Sequence, residues 1–199
     1  MREARGRTGE APARPEDAVT SAAMTLHVRP ARPDDVPLIL SLIRALAEYE
    51  RAPDAVVATE AMLAQHLFGD GIGRGPVAEC LIGEVDGAAM GFALYFHNFS
   101  TWRGAPGLYL EDLFVQPEAR RRGLGRALLA ALARTAVARG CQRFEWSVLD
   151  WNAPAIAFYR ALGATPLDAW TIHRLTGPAL HALAALDAPP PPDARRDPR

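Results

Sequence analysis

The fold is decided by residues 108–126, which read LYLEDLFVQPEARRRGLGR. An apolar run of strand length, interrupted only by Glu111 and Asp112, leads through an arginine-rich turn to Gly123 and Gly125. The apolar pattern that follows predicts a long helix. A glycine-bearing turn at a helix N-terminus presents free backbone N–H groups and the positive end of the helix dipole, so this stretch predicts an anion site for which phosphate is the natural ligand.

The elements around this stretch predict a mixed α/β (α+β) fold. Turn residues, helix caps and hydrophobic runs set their limits, with Thr59 as a helix N-cap and Asp86-Gly87 as a hairpin turn. The predicted elements are a strand over 26–29, helices over 33–51 and 59–68, a glycine-rich loop over 69–76, a hairpin over 80–96, a turn over 98–107, strands over 108–115 and 143–149 on either side of a helix over 123–139, a helix over 152–162, a strand over 170–175 and a helix from Pro178.

The 199 residues allow one folded domain with appendages, expected over 24–186. Residues 1–23, rich in Arg, Glu, Ala and Pro, are expected to be a disordered extension, and Met24 is a candidate start. Residues 187–199, with four consecutive prolines, are expected to be an extended tail. No window of the sequence reaches the roughly 18 to 20 apolar residues that spanning a bilayer requires, and the N-terminus has no apolar h-region, so neither a membrane span nor a leader segment is expected.

Charge and composition narrow the function classes. All 22 basic side chains are arginine, and the net charge of -1 gives no general electrostatic reason for binding nucleic acid or a membrane. Residues 34–112 carry twelve acidic groups and four arginines (net -8), whereas residues 118–143 carry seven arginines and one acidic group (net +6). Two cysteines indicate no disulfide framework, so the cytoplasm is the expected location. The scattered histidines predict no metal site.

Three known phosphate-binding patterns are candidates for the glycine turn at residues 120–125. The ATP-type loop requires a lysine, which the chain lacks, and the dinucleotide fingerprint requires a third glycine where Leu128 stands. The remaining pattern, [RQ]-x-x-G-x-[GA], is met by Arg120, Gly123 and Gly125. It resembles the acyl-CoA pyrophosphate loop of the GNAT N-acetyltransferase superfamily. Taken alone, the same residues are also compatible with a solvated, arginine-rich helix cap.

Other segments extend this resemblance from about Leu26 to Leu175. Residues 151–159, WNAPAIAFY, resemble the superfamily segment N-x-x-[AS]-x-x-[FL]-Y. Residues 46–50, LAEYE, and 109–115, YLEDLFV, resemble the diamine (spermidine/spermine) acetyltransferase branch. The resemblance implies a mixed, mostly antiparallel sheet that splays at the acyl-CoA site and is flanked by helices. It also implies an enzyme that transfers acetyl from acetyl-CoA to a primary amine by direct attack, and a homodimer.

The chemistry requires a base and an acid. An alkyl ammonium with a pKa near 10.4 must lose a proton before it attacks a thioester, and Glu111, in an otherwise apolar strand, is the candidate base. Burial is expected to raise the pKa of Glu111; the alternative is a carboxylate satisfied by backbone N–H groups at a strand irregularity. Asp112, pointing to the other face of a regular strand, is given a supporting role. By resemblance, Tyr159 donates a proton to the departing thiolate.

The resemblance also implies the binding residues. For acetyl-CoA they are Leu113, Phe114, Val115, Arg120, Arg121, Arg122, Gly123, Leu124, Gly125, Arg126, Asn152, Pro154, Ala155 and Phe158, with Arg120 and Arg126 the favoured arginine contacts. For the amine they are Tyr49, Glu50, Glu111, Asp112, Glu145, Trp146, Ser147 and Asp168. The segment 164–170 is shorter and less acidic than in diamine enzymes, so a small diamine or thialysine-like amino acid is at least as well supported as a long polyamine. A protein or antibiotic amine as acceptor, and a non-catalytic acyl-CoA-binding module, remain alternatives.

Overall fold

The computed structural model describes residues 24–69 and 75–186. The predicted extensions over 1–23 and 187–199, and most of the predicted loop over 69–76, lie outside the described residues. The chain divides into two compact units, the first reaching Ser147 and the second beginning at Val148. They are described in turn.

The first unit is built on a five-stranded sheet with the strand order β1-β2-β3-β4-β5. Neighbouring strands are antiparallel except β4 and β5, which are parallel, so the predicted mixed and mostly antiparallel sheet is confirmed. The strands are β1 Leu26–Pro30, β2 Glu79–Val85, β3 Ala88–Ser100, β4 Ala105–Val115 and β5 Phe144–Trp146; the helices are α1 Val36–Tyr49, α2 Glu60–Phe68 and α3 Leu124–Ala138.

Helices cover both faces of the sheet. Helices α1 and α2 pack on one face around a buried cluster comprising Ile39, Leu42, Leu67, Cys80, Ile82, Phe92 and Phe114. Gly83, the neighbour of Ile82, faces the other side, because a Cβ added there would lie 2.9 Å from the Leu124 side chain of α3. Leu124, Leu128 and Leu132 of α3 are buried. The apolar stripe of each helix therefore accounts for its position on the sheet.

Several local predictions are confirmed by the geometry of the turns and caps. The Thr59 side chain accepts a hydrogen bond from the Met62 N–H at the start of α2. Asp86 and Gly87 have φ angles of 51° and 81°, as a two-residue turn matched to the twist of a hairpin requires. The predicted helix over 33–51 begins instead as a short 3-10 turn, Pro33–Asp35, before α1.

The second unit contains α4 Ala153–Ala161 and α5 Gly177–Ala184, both expected from the sequence. The Asn152 side chain caps α4 by accepting a hydrogen bond of 3.3 Å from the Ala155 N–H. The predicted strand over 170–175 is wrong, because residues 170–176 form neither helix nor strand. A strand is completed by a hydrogen-bonded partner, and no strand pairing of the described residues includes this segment. The predicted strand over 143–149 is likewise shorter, ending at Trp146.

None of the helices described in residues 24–69 and 75–186 is long and apolar enough to cross a membrane.

Candidate active site

Strand β4 changes its surroundings halfway along its length. Its pairing with β5 runs from Leu108, opposite Phe144, to Leu110, opposite Trp146, and goes no further. Its pairing with β3 continues to Val115, opposite Gly91. Among the described residues, positions 111–115 therefore have a strand partner on one side only. We call 108–110 the paired half of β4 and 111–115 the open half.

A β-bulge marks the junction between the two halves. Leu110 is opposite Tyr95 and Asp112 is opposite Leu94, so Glu111 is the extra residue in β4. Cross-strand neighbours share a face, and Tyr95 and Leu94 point to opposite faces of β3. Leu110 and Asp112 therefore lie on opposite faces, which two residues that far apart in a regular strand would not do.

The bulge also decides which backbone N–H groups face the open side. The Leu108 N–H donates to the Arg143 carbonyl in the direction of β5, at 3.0 Å. Beyond the bulge, the Gln116 N–H donates to the Met90 carbonyl in the direction of β3, at 2.8 Å. Because N–H directions alternate along a strand, those of Leu113 and Val115 point to the unpaired side. An extended ligand with amide groups can pair there as a strand would.

The turn after β4 has the geometry of an anion site. Gly123 is the N-cap of α3 with a φ of 90°, and Arg121 has a φ of 61°, so the chain makes a tight left-handed turn before the helix begins. The first N–H groups of α3 have no partner within the helix. Arg121, Arg122 and Arg126 are exposed around this turn, and their positive charges add to the field of the helix N-terminus.

Two adjacent carboxylates, those of Glu111 and Asp112, lie at the start of the open half of β4. Glu111 is exposed, so the expected burial of its side chain is wrong. Asp112 is the less exposed of the two, and burial, with a smaller effect of the negative charges of Glu111 and Glu50, raises the pKa of Asp112 to about 6. Partial loss of hydration also raises the pKa of the Glu50 carboxyl. The bulge explains this difference, because the extra residue Glu111 stays exposed while the shift in register places Asp112 opposite Leu94.

Asp112 lies on the face covered by α1 and α2. Its strand partner Leu94 is itself opposite Cys80, a member of the buried cluster on that face. Burial and the charges of Asp35 and Asp112 raise the pKa of the Cys80 thiol to about 12. Glu50 is the residue directly after α1, so the end of this helix and the middle of β4 bring two of the predicted amine ligands to one side of the sheet.

Arg120 joins the loop to the end of α1. Its Nε donates a hydrogen bond of 2.9 Å to the Val115 carbonyl. Its guanidinium carbon lies 4.6 Å from the centre of the Tyr49 ring and 5.6 Å from that of Phe114. Sequence reasoning placed Arg120 and Tyr49 at different ligands and did not predict that they are in contact.

On the other side of the open half, the residues of β5 are held by local partners. The Glu145 carboxylate forms an ion pair of 2.8 Å with Arg143 and accepts a hydrogen bond of 3.0 Å from the Asn98 amide. The Ser147 hydroxyl is hydrogen-bonded to the Tyr109 hydroxyl at 2.9 Å, next to the point where β4 and β5 separate. Sequence reasoning missed Asn98 and Arg143. The only signal of Arg143 was a charge opposite to that of Glu145, and the neutral Asn98 amide gave no signal.

The remaining predicted site residues are Trp146, at the end of β5, and several residues of the second unit. The Trp146 ring packs against Phe144 at 5.0 Å between centroids. In the second unit, Pro154, Ala155, Phe158 and Tyr159 belong to α4, and Asp168 is exposed in a stretch without helix or strand. Within the described part of the chain, no three histidine, cysteine or acidic side chains are grouped in a way that could hold a metal ion.

These features define the class of protein. Residues 42–164 match the family described as the acetyltransferase (GNAT) family, and the chain belongs to that family. It is an acetyl-CoA-dependent N-acetyltransferase.

Particular relatives refine the position within the family. The chain is 38% identical to the thialysine N-epsilon-acetyltransferase of Bos taurus over 79% of its own length and 96% of that protein. It is 33% identical to the L-ornithine N5-acetyltransferase of Arabidopsis thaliana over 87% of its length and 94% of that protein. Among solved structures it is similar to an integron cassette protein from the mobile metagenome of V. cholerae, with a TM-score of 0.67, 26% identity, and coverage of 80% of this chain and 98% of that one.

Proposed function

We propose that this protein transfers the acetyl group of acetyl-CoA to a primary amine of a small cationic acceptor, by direct attack in a complex that holds both substrates. The observation that carries the proposal is the bulge at Glu111. It turns the N–H groups of Leu113 and Val115 to the unpaired side of β4. Two carboxylates precede these groups in the strand, and the anion loop follows the end of the strand.

The first unit supplies a fitting surface for acetyl-CoA, whose thioester provides the reactive acetyl group. The N–H groups of Leu113 and Val115 can pair with the amide groups of its pantetheine arm, and one of them can stabilise the negative oxygen of the acetyl carbonyl during attack. The N–H groups of residues 121–126 and the positive end of α3 suit the pyrophosphate. The exposed Arg121, Arg122 and Arg126 supply neutralising charge.

Acidic side chains serve the amine. Glu111 is exposed in the open half, so a substrate ammonium can reach it, and we assign Glu111 the removal of the proton directly or through a water molecule. Asp112 and Glu50 supply negative charge for holding a cation. A bound ammonium would favour the ionised form of Asp112 and so lower its raised pKa, which links amine binding to release of a proton near neutral pH.

For the departing thiolate we propose Tyr159 as the proton donor, on the resemblance of residues 151–159 to the family segment. Tyr159→Phe keeps the ring and removes the hydroxyl, so turnover should fall by about 100-fold or more while the Kd for acetyl-CoA changes little. Steady-state kinetics and calorimetric titration test this. Turnover equal to that of the parent protein would remove Tyr159 from the acid role.

The acceptor is proposed to be short, such as a small diamine or an amino acid with a terminal side-chain amine. The bovine and Arabidopsis relatives are named for thialysine and L-ornithine, which are both amino acids of this kind. The short segment 164–170 carries the single carboxylate of Asp168, which gives a long polyamine few additional charges to bind.

We also propose a homodimer, supported by exposed apolar side chains of the second unit. Trp170 is 69% exposed and Ile172 is 72% exposed, in a segment whose sequence favours a strand but which pairs with no strand of the described residues. Exposed apolar surface on this scale is typical of an interaction site. Sedimentation should give twice the chain mass, and Ile172→Asp should shift it toward the monomer; a monomeric parent protein would remove the proposal. The absence of nucleic-acid and membrane partners, and a cytoplasmic location, stay predictions.

The direct test is release of free CoA in the presence of acetyl-CoA and a panel of amines: L-ornithine, thialysine, putrescine, spermidine, an aminoglycoside and a lysine peptide. We expect the small diamines and diamino acids to be used with the highest kcat/KM. Preference for the aminoglycoside or the peptide would overturn the proposed acceptor class. Tight acetyl-CoA binding with no transfer to any amine would indicate a binding module.

A further inference from the structure

Arg120 is oriented differently from the other arginines of the anion loop. Arg121, Arg122 and Arg126 are exposed, whereas the Arg120 side chain is half-buried and directed back from the loop toward β4 and α1. Its Nε donates to the Val115 carbonyl, the last of the open half, and its guanidinium lies over the Tyr49 ring in the final turn of α1. One side chain therefore contacts two elements that the proposed function assigns to different substrates.

Both contacts restrain the position of the Arg120 guanidinium. A guanidinium within about 6 Å of an aromatic centroid is attracted to the ring face, more strongly when it has lost part of its hydration. The Nε hydrogen bond, with a charged donor, fixes the plane of the group at 2.9 Å from the Val115 oxygen. Movement of the loop backbone at Arg120 would disturb both contacts, and displacement of Tyr49 would release the guanidinium.

We propose that Arg120 is a positioning residue that couples the acetyl-CoA loop to the acceptor end of α1. The inference rests on the proposed function, which places the pyrophosphate at residues 121–126 and the amine near Tyr49 and Glu50. Cofactor binding at the loop then fixes Tyr49 and its neighbour Glu50 through Arg120. Because coupling between two binding sites is reciprocal, the acceptor must tighten CoA binding by the same factor that CoA tightens acceptor binding.

The contact can be measured without activity. In an NMR spectrum of the whole protein labelled with 15N, the Arg120 Nε–H should exchange slowly with solvent and be shifted upfield by the Tyr49 ring. Tyr49→Phe keeps the ring and should keep the shift, whereas Tyr49→Leu should leave only the smaller contribution of the more distant Phe114 ring. An undiminished shift in Tyr49→Leu would show that the Tyr49 ring does not hold the guanidinium and would overturn the proposal, whichever amine the enzyme uses.

The coupling is measured on the preferred acceptor from the amine panel. Arg120→Gln and Tyr49→Leu should each raise the acceptor KM about three- to tenfold, and the double variant should be no worse than the more affected single one. Arg120→Lys, which keeps the charge but lacks the planar group, should restore only part of the loss. Arg134→Gln removes an exposed arginine on α3 outside both sites and serves as the control for net charge.

The linkage itself is measured as the Kd for CoA with and without saturating acceptor. The acceptor should lower this Kd in the parent protein and in Tyr49→Phe, and the effect should vanish in Arg120→Gln. The alternative role, a direct phosphate contact, predicts the opposite pattern. If Arg120→Gln raises the Kd for CoA, leaves the acceptor KM unchanged and combines additively with Tyr49→Leu, the positioning role is wrong and Arg120 is an ordinary cofactor ligand.

Discussion

The two halves of β4 belong to one strand, and we propose different functions for them. The paired half has partners on both sides, and Leu108 and Leu110 are at most 1% exposed. The open half is paired with β3 alone and contains both carboxylates and the N–H groups of Leu113 and Val115 that face away from it. The single extra residue at Glu111 separates them. In the proposed function, the bulge thus turns one part of a structural strand into a binding surface without interrupting the sheet.

Because the two halves differ in this way, stability and activity should depend on different positions within residues 108–115. Substitutions in the paired half should lower the free energy of unfolding. Those in the open half should change turnover or its pH dependence and leave the fold intact.

The largest effect is expected at the bulge. Glu111→Gln removes the proposed base and keeps the size of an exposed side chain, so kcat/KM for the preferred amine should fall by about 100- to 10,000-fold with little change in Tm. Steady-state kinetics and thermal unfolding check this. If turnover falls only a few-fold, or if Tm falls in parallel, Glu111 is not the base.

Leu110→Ala tests the paired half. Removing most of a side chain that is 1% exposed should lower the free energy of unfolding by about 2–5 kcal/mol, because a cavity remains on the α3 face of the sheet. Urea unfolding measures the change. Leu183→Ala, at a side chain that is 56% exposed, should cost far less and is the matched control. Equal losses at both positions would contradict the assignment of the paired half to the core.

Asp112→Asn separates the two neighbouring carboxylates. With a pKa raised from 3.8 to about 6, folded Asp112 holds a proton that the unfolded chain has released, so its contribution to stability is lost as the pH rises between about 4 and 6. The asparagine variant lacks this loss, and its stability relative to the parent protein should therefore improve over that window by on the order of 2 kcal/mol.

Urea unfolding at pH 4 and pH 7 gives the Asp112 result. The carboxylates with lowered pKa values, Asp35, Glu79 and Glu84, respond to pH equally in both proteins and cancel in the difference. Glu111→Gln, at the exposed neighbouring carboxylate, serves as the matched comparison. A difference between Asp112→Asn and the parent that does not vary with pH would show that Asp112 is not the perturbed group.

The smallest effect is expected where the two halves part. Ser147→Ala and Tyr109→Phe each remove one side of a 2.9 Å hydrogen bond between exposed side chains, so each should cost about 0.5–1 kcal/mol of unfolding free energy. The double variant should cost no more than either single one, as measured by urea unfolding. Additive losses would mean that the hydroxyl pair is not a unit.

Much of this architecture could be predicted from the sequence. The hairpin of β2 and β3 followed from the turn signal Asp86-Gly87, and the anion loop was predicted from Gly123 after the apolar strand. A strand irregularity at Glu111 was expected only as an alternative, because two adjacent carboxylates are also compatible with a regular strand whose faces both meet polar groups. The assignment of burial to Glu111 instead of Asp112 was wrong for this reason. The strand predicted over 170–175 was wrong because the sequence pattern indicates a preference for extended backbone but does not indicate whether a partner strand is available.

Amide hydrogen exchange at Leu113 and Val115 tests the central claim most directly. Exchange is measured on the whole protein by NMR, with and without saturating CoA. We expect CoA to slow exchange at these two amides and at the first residues of α3, whereas the amide of Leu108, already bonded to the Arg143 carbonyl, should be unchanged. Unchanged exchange at Leu113 and Val115 in a protein that demonstrably binds CoA would contradict the assignment of the open half to the cofactor.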